Sequence, residues 1–581
     1  MQNPFSKIPE RNKLLLLSLV VGITSGLAAV LLRWLIDVIK DFANGEFISS
    51  TFNWQYLVLP GIGVLLSLLI VRYIIRDNIS HGVTKALLAV SRNESRIKPH
   101  NTWSSILTSS ITIGFGGSVG AEAPIVYTGA AIGSNLGRIC GLSHRSITTL
   151  LGCGAAGAVA GIFKAPLAGV LFTMEILMFN LSLKTMLPML ISSISATVVA
   201  YIFCGQDPAF ACTLTRFSIG NIPFYIILGV VGAFAALYFT RTTLWLEDKF
   251  AKVSNVYLKW IVCAIALGLL IFLFPPLYGE GYDSMLALLN GQEISLESGT
   301  LLSFLMDSPW GIVLFFVLVF LMKVIAMTLT NAGGGVGGTF GPTLFVGAIL
   351  GFAVARSLNL LGAGVPEQNF VLVGMAALMA SVMQAPMTAI FLIAEISGGY
   401  ELLIPLILTA TVSFGCVRIF EKYSIYTKRI AQSGDLLTHD NDQAVMTLLH
   451  TKDLIRDKYP RVRVNESLRK LVKTISNSDA AVIAVLGDDG SFQGMIDVAN
   501  VRKYLFRSDL YNTTKVYNLM ESAPEIVREE DRIEDVMSKF ERTEAWRLPV
   551  INADGRYLGF ISKSRLLMAY RAELREITSG D

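Results

Sequence analysis

APLAGVLFTMEI (165–176) returns in the second half of the chain as APMTAIFLIAEI (385–396). In both copies an alanine–proline pair opens the stretch, and a glutamate–isoleucine pair closes it at the same distance from the proline. Upstream of each copy, a glycine-rich loop ends in a proline that is followed by two glycines at equal offsets: GGSVGAEAP (116–124) and GGVGGTFGP (334–342). Landmarks that recur in the same order predict two homologous halves.

The composition of the 581-residue chain divides it into two parts. Hydrophobic residues make up 53% and charged residues only 16%, whereas a soluble domain carries about 25% charged residues. Long apolar stretches dominate up to about Tyr426, and charged residues return at ordinary density after it. This distribution predicts a membrane part followed by a water-soluble part.

Composition and motifs also disfavour several function classes. The net charge of +4 is small and no basic run with interleaved aromatics occurs, so no nucleic-acid partner is expected. The six cysteines show no CxxC spacing, and neither HExxH nor a Walker A pattern occurs. We therefore expect no disulfide framework, no metal site and no cofactor.

The apolar segments indicate membrane helices, several of them broken. The first segment, Leu14–Ile39, is too long for a signal peptide and is interpreted as a retained helix. Lys7, Arg11 and Lys13 before it place the N-terminus in the cytoplasm. Several later segments are short or interrupted by glycine and proline, which membranes tolerate where backbone is buried in protein or lines a cavity. Duplicated halves with broken helices are typical of transporters, but the repeat alone leaves parallel and inverted halves open.

Glu122 lies in the first glycine-rich loop, directly before an expected helix start. Unpaired backbone N–H groups at the positive end of a helix dipole form an anion site. A carboxylate in apolar surroundings is costly unless it serves transport, pairing or proton transfer. The alternative is a carboxylate that only stabilises its own helix; the repeat favours a role in transport.

The second loop contains no carboxylate and formally satisfies GxGxxG through Gly333, Gly335 and Gly338. A dinucleotide site needs a preceding strand and a βαβ unit. The flanking segments, FLMKVIAMTLT and TLFVGAILGFAVA, have membrane character instead. A second anion-facing helix start fits better, with the N–H groups of Thr339 and Phe340 available to the ion.

These motifs resemble those of the CLC family of chloride channels and H+/Cl− exchange transporters. GAEAP (120–124) resembles the family's GxEGP signature, GGTFGP (337–342) resembles GxFxP, and FKAPLAGVLFTMEI resembles the segment between them. SHGVT (80–84) stands in the place of GSGIP, and SIYT (424–427) in the place of the tyrosine that closes the inner mouth.

The resemblance implies an all-α polytopic membrane domain over 1–430, with two inverted halves of broken helices at about 10–205 and 220–425. It also implies a homodimer in the lipid bilayer, with a separate pore for chloride or related anions in each subunit. Carried over, Glu122 is the gating glutamate. The anion-binding positions are His81, Gly82, Val83, Gly120, Ala121, Thr339, Phe340 and Tyr426.

Departures from the family pattern concern selectivity and proton coupling. His81 stands where many chloride-selective members have a serine, and Thr84 replaces the motif proline. Ile176 occupies the position of the inner glutamate that carries protons in coupled members, one residue after Glu175. We therefore expect a voltage- or pH-gated chloride channel; the alternative is an H+/Cl− antiporter with a non-standard internal proton path.

After a linker at 431–461, two segments at 462–507 and 512–573 each read as helix, strand, turn, strand and helix. Together they resemble an α/β tandem CBS pair. In members that bind adenine nucleotides, an aspartate holds the ribose; here Asn500 and Arg565 occupy that position. A structural, dimer-supporting role is favoured over nucleotide sensing, and Asn500 remains the only nucleotide-site candidate.

Two rival classes find less support in the sequence. An intramembrane enzyme using Glu122 or Glu175 as acid or base lacks a nucleophile–base pair, so no catalytic residue is assigned. A divalent-cation transporter would need several converging acidic residues, and only these two and Glu395 are candidates. Glu395 and Lys164 are expected to be structural. The expected location is the inner (plasma) membrane, with the N-terminus and the CBS pair cytoplasmic.

Overall fold

The structure is a computed structural model that describes residues 9–45, 54–77, 79, 81–92, 95–179, 182–210, 214–291, 302–428, 430, 449–457 and 459–578. The chain divides into two compact units, Met1–Asp435 and Leu436–Asp581. Most of the expected linker at 431–461 lies outside the described residues, as do Ser80 of the SHGVT motif and Lys7.

The first unit is helical throughout its described part. Nine of its described helices are long and apolar enough to cross a membrane, and α7, α14 and α15 are shorter apolar helices. The helices are α1 (Glu10–Gly45), α2 (Gln55–Leu69), α3 (Gly82–Arg92), α4 (Ser104–Gly114), α5 (Glu122–Ile139), α6 (His144–Phe163), α7 (Pro166–Ile176), α8 (Leu183–Cys204), α9 (Ile222–Ala251), α10 (Val256–Leu273), α11 (Tyr282–Leu289), α12 (Pro309–Ala332), α13 (Phe340–Leu360), α14 (Glu367–Val382), α15 (Pro386–Ile396) and α16 (Leu403–Phe420).

Glycines at equivalent repeat positions allow equivalent helix pairs to pack closely. A Cβ atom on Gly129 of α5 would lie 2.1 Å from the carbonyl oxygen of Gly154 in α6. In the second half, a Cβ atom on Gly347 of α13 would lie 2.7 Å from the carbonyl oxygen of Gly374 in α14. Small residues at such crossings let membrane helices approach to backbone contact. The two halves therefore share a packing plan as well as a sequence pattern.

The repeated helices α7 and α15 lie antiparallel. Glu175, near the end of α7, accepts hydrogen bonds from backbone N–H groups at the start of α15. Glu395, near the end of α15, accepts them from the start of α7. Because the end of each helix lies at the start of its counterpart, the halves are inverted, which resolves the choice that the repeat left open. Glu395 is structural, as expected.

The second unit contains two copies of one small α/β motif. Each sheet has three strands, the first pair parallel and the second pair antiparallel, with a register shift at the same place in both antiparallel pairs. The strands are β1 (Arg461–Arg463), β2 (Val482–Leu486), β3 (Phe492–Asp497), β4 (Val527–Arg528), β5 (Arg547–Ile551) and β6 (Tyr557–Ser562). The helices are α17 (Thr451–Leu454), α18 (Leu468–Ser476), α19 (Val498–Val501), α20 (Ile533–Thr543) and α21 (Lys563–Thr578).

The turns between antiparallel strands explain the glycines in the DDG and ADG sequences. Gly490 and Gly555 have φ angles of +83° and +78°, a left-handed conformation that glycine adopts without steric cost. The expected order of helix, strand, turn, strand and helix is confirmed in both copies. The sequence did not predict the short parallel strands β1 and β4, whose two or three residues carry too little periodicity to be recognised.

Candidate functional site

The two glycine-rich loops pair with each other through their backbones. The Gly120 N–H donates to the Gly338 carbonyl at 3.0 Å, and the Gly338 N–H donates back to the Gly120 carbonyl at 2.7 Å. A Cβ atom on Gly338 would lie 2.7 Å from the Cβ of Ala123, so a larger residue would separate the loops. This pairing brings together the starts of α5 and α13, one from each half.

Glu122 reaches from the start of α5 to the start of α13. Its side chain is buried, and its Oε2 accepts a hydrogen bond from the Gly341 N–H at 3.1 Å. Its Oε1 accepts a hydrogen bond from the Tyr282 hydroxyl. The carboxylate therefore accepts a hydrogen bond from a backbone N–H group at a helix start, where an anion could otherwise bind.

Thr339, before α13, and Tyr426, after α16, come from distant parts of the chain and meet in the same region. The Thr339 hydroxyl donates to the Tyr426 hydroxyl at 3.1 Å, and both residues are buried. Phe340 follows Thr339 and packs against Phe163 and Phe172, with ring centroids 5.3 and 5.9 Å apart. The predicted hydroxyl and helix-start positions thus lie together.

The start of α3 adds a third helix terminus. A Cβ atom on Gly82 would lie 2.6 Å from the Ala123 carbonyl oxygen, so α3 packs directly against the first turn of α5, and Val83 is buried. His81 precedes α3 with a left-handed φ of +57°. Its Nε2 lies 3.7 Å from Glu247 Oε1 on α9, and its side chain is 37% exposed. The structure thus directs the imidazole of His81 towards Glu247.

Three further polar residues surround this site and were not predicted from the sequence. Glu280 Oε1 accepts a hydrogen bond from the Ala121 N–H at 2.9 Å, beside Glu122. Tyr282, two residues later, holds Glu122 itself. Lys323 is fully buried in α12, and its Nζ donates to the Gly279 carbonyl at 2.8 Å. A lysine within an apolar helix is a recognisable signal, but nothing in the sequence connects GEGYD (279–283) with Glu122.

A cavity of about 170 Å³ opens beside Glu280. Arg33, Lys40 and Asp283 lie on its wall together with Tyr282. Lys40 forms an ion pair with Asp283 at 2.7 Å. Asp37 also lies on the wall, so the carboxylates of Asp37 and Asp283 balance the charges of Arg33 and Lys40.

Glu175 and Ile176 are the last two residues of α7, and neither is arranged as an inner proton carrier. Ile176 is 3% exposed and has no titratable atom. Glu175 Oε2 accepts hydrogen bonds from both the N–H and the hydroxyl of Thr388, each at 2.7 Å. Glu175 thus caps the start of α15, and its repeat counterpart, Glu395, caps the start of α7 in the same way.

In the second unit, Asn500 is engaged by a neighbouring side chain. Its Nδ2 donates to Glu521 Oε1 at 2.9 Å. Asp497, three residues earlier, accepts a hydrogen bond from the Ala499 N–H at 2.9 Å and caps α19. The Arg565 guanidinium donates to the Asp453 carbonyl at 3.4 Å. The two positions of the ribose aspartate are therefore filled by residues that bond within the unit.

Comparison with known proteins agrees with this architecture. The chain is 26% identical to a chloride channel protein named ClcB-like from Ralstonia nicotianae, over 66% of this chain and 87% of the relative. It is 25% identical to the H(+)/Cl(−) exchange transporter ClcA of Salmonella arizonae, over 75% of this chain and 93% of the relative.

Among solved structures, a slow cyanobacterial Cl−/H+ antiporter matches with a TM-score of 0.63 at 22% identity, covering 73% of this chain and 98% of that one. A eukaryotic CLC transporter matches with a TM-score of 0.59 at 16% identity, covering 95% of this chain and 97% of that one. These structures share the fold of the chain.

Family models match both units. The CBS domain model covers residues 516–572 in the second motif. The voltage gated chloride channel model covers residues 62–418, which include the starts of α3, α5 and α13 and the residues around Glu122. The chain belongs to the voltage gated chloride channel family, the CLC proteins, and carries a CBS domain at its C-terminal end.

Proposed function

We propose that this membrane-embedded anion transporter exchanges chloride, or a similar small monovalent anion, for protons. The observation that carries the proposal is the hydrogen bond from the Gly341 N–H to Glu122 Oε2 at 3.1 Å. An ionised Glu122 competes with an anion for this helix start, whereas a protonated Glu122 can leave it. The residue that admits the anion is thus also the residue that takes the proton.

This proposal replaces the channel that the sequence favoured because of Ile176. Relatives named H(+)/Cl(−) exchange transporters align over most of their length, and the fold is that of a Cl−/H+ antiporter. A relative named as a chloride channel protein also aligns, so the names do not all agree. Exchange is preferred because Glu122 combines an anion-site position with a proton-binding group.

The anion path that we propose follows backbone and hydroxyl donors. On the inner side, the Tyr426 hydroxyl and the start of α3 at Gly82 and Val83 receive the ion. In the middle, the N–H groups of Thr339 and Phe340 hold it, and the loop at Gly120 and Ala121 leads past Glu122. The carbonyl–N–H pairing of Gly120 and Gly338 keeps this loop in place.

Protons need an internal route that does not use Ile176. Glu175 is held by the N–H and hydroxyl groups of Thr388 and by the Met387 N–H at 3.0 Å. These bonds commit it to the cap of α15. We propose that water in the protein interior, rather than a side chain at position 176, links Glu122 to the inner side.

We propose a homodimer in the lipid bilayer of the inner membrane, with the N-terminus and the CBS pair on the cytoplasmic side. The CBS pair supports the dimer and does not bind nucleotide. Transport, with no enzymatic step, is the activity of the chain. In a variant whose native cysteines are replaced, a single engineered surface cysteine tests both the assembly and the placement. Cross-linking between subunits reports the homodimer, and labelling from each side of the membrane reports the orientation.

The test of exchange is Glu122→Gln in the full chain reconstituted into liposomes. Glutamine keeps the shape of the side chain but cannot carry the proton, so chloride flux should persist while coupled proton movement disappears. Glu395→Gln is the matched control, because it alters a carboxylate that caps α7 and should preserve coupling. Coupled proton movement that survives in Glu122→Gln would contradict the proposal.

A further inference from the structure

We propose that Glu280 is a second gating carboxylate, placed between the cavity and Glu122 and acting in series with it. The inference rests on the proposed transport function and extends it to a residue outside the motifs that identify the family. In this proposal Glu280 competes with the anion at the start of α5, as Glu122 competes with it at the start of α13.

The first support is the bond that Glu280 makes. Its Oε1 accepts a hydrogen bond from the N–H of Ala121, the residue that precedes α5, at 2.9 Å. Glu122 makes the equivalent bond to the Gly341 N–H in the first turn of α13. Each carboxylate thus occupies a backbone donor at one of the two helix starts that the glycine-rich loops bring together. An anion that used either donor would have to displace the carboxylate there.

The second support is the position of Glu280 along the path. It lies on the wall of the 170 Å³ cavity, together with Tyr282, which bonds to Glu122. Glu122 does not line the cavity, whereas Glu280 does, and the other charges on the wall, Arg33 and Lys40 against Asp37 and Asp283, balance each other. An anion that moves from the cavity to Glu122 therefore meets Glu280 first.

The third support is the rigidity of the segment that carries Glu280. Lys323 Nζ donates to the carbonyls of Gly279 at 2.8 Å and Leu277 at 3.4 Å. The Ser118 hydroxyl donates to the Leu277 carbonyl at 2.6 Å, from within the first glycine-rich loop. The backbone that carries Glu280 is thereby held against the loop that leads into α5.

Several charged and titratable groups face Glu280. Arg33 and Lys323 attract its carboxylate, and Glu122 repels it. Among the residues that the structure describes, these groups are Glu122 of α5, Arg33, Asp37 and Lys40 of α1, Lys323 of α12, Tyr278, and Tyr282 and Asp283 of α11.

Protonation provides the gating step. While Glu280 is ionised, its carboxylate holds the Ala121 N–H and repels an incoming anion; a proton from water in the cavity removes that charge and frees the donor. Anion flux should then fall as the pH on the cavity side rises, because of both Glu280 and Glu122. Removing Glu122 alone should leave part of this pH dependence.

The test compares the pH dependence of chloride flux in liposomes for Glu122→Gln and for the double variant Glu122→Gln/Glu280→Gln. We expect Glu122→Gln to lose flux several-fold between acidic and alkaline pH on the cavity side, and the double variant to show a flat profile. Glu280→Ala in the same background should also be flat, because it vacates the Ala121 N–H completely. Dimer elution and thermal melting of each variant exclude a loss of folding.

Asp283→Asn is the matched control. It removes a carboxylate from the same cavity wall, but Asp283 is 83% exposed and pairs with Lys40 instead of a helix start. In the Glu122→Gln background it should leave the residual pH dependence in place. The proposal fails if Glu122→Gln and the double variant have the same pH profile, or if Asp283→Asn flattens the profile as Glu280→Gln does. Failure of proton coupling in the wild type would instead count against exchange alone.

Discussion

The Glu175 carboxylate accepts two hydrogen bonds from Thr388, one from its N–H and one from its hydroxyl, each at 2.7 Å. Thr388 lies in the first turn of α15, the repeat counterpart of the helix that carries Glu175. Glu395 returns the contact to the N–H groups of Leu167 and Ala168 at the start of α7, at 3.1 and 2.9 Å. The glutamates of the repeated motif therefore join the two inverted halves.

Glu175→Gln should lower stability without abolishing transport. A glutamine amide nitrogen cannot accept, so one of the donors in the first turn of α15 loses its partner, at a cost of about 1–3 kcal/mol. Thermal melting of the purified protein measures this loss, and Glu395→Gln should show a similar one. Loss of proton coupling in a folded Glu175→Gln protein would instead make Glu175 the inner proton carrier.

Tyr426→Phe should weaken anion binding while preserving the fold. It removes the hydroxyl that meets the Thr339 hydroxyl at 3.1 Å near the start of α13. A hydrogen bond from this hydroxyl to an anion contributes about 1.5–3 kcal/mol, which corresponds to roughly a ten- to hundredfold change in the dissociation constant. Calorimetric titration with chloride measures it. Tyr238→Phe, whose hydroxyl donates to the Leu321 carbonyl, is the control and should bind chloride as the wild type does.

His81→Asn should leave the preference among chloride, bromide and nitrate unchanged. The imidazole lies near Glu247, so we expect only the backbone of this position to face the ion. Asparagine tolerates the left-handed conformation of His81 better than most residues do. Relative fluxes of the three anions in liposomes provide the measurement, and a shifted order of preference would show that the imidazole contributes to selectivity.

Removing residues 441–581 should leave a dimer that transports chloride, because the described path is built from the first unit alone. Chloride flux in liposomes measures this, and loss of all flux on truncation would overturn the expectation.

In the full chain, ATP or AMP should change the melting temperature little, since Asn500 bonds to Glu521 and no aspartate stands in the ribose position. A clear thermal shift at millimolar nucleotide would overturn this expectation.

Much of the architecture is predictable because it is repeated. The repeated landmarks predict two homologous halves, and the glycines at matched offsets after the two prolines lie at equivalent close crossings, of α5 with α6 and of α13 with α14. The glycine-rich loops likewise predict a helix start after each loop; the first helix begins at Glu122, slightly earlier than expected, and the second begins at Phe340. These features depend on local backbone geometry, which sequence spacing records.

The surroundings of Glu122 are less predictable because they come from distant segments. Tyr282 and Glu280 lie about 160 positions later in the chain, in a short segment without periodicity. Lys323 is detectable as a charge in an apolar helix, but its partners are backbone carbonyls, which no sequence pattern marks. The direction of the His81 side chain likewise depends on where α9 places Glu247.

The most direct measurement of the central claim is proton movement against its gradient by the wild-type protein. Liposomes are loaded with chloride and diluted into low-chloride buffer at the same pH, and the internal pH is followed. Exchange predicts that chloride efflux drives protons inward in a fixed ratio, so that the interior acidifies, and that Glu122→Gln abolishes this acidification. Rapid chloride efflux with no proton movement in the wild type would contradict exchange and identify the protein as a channel.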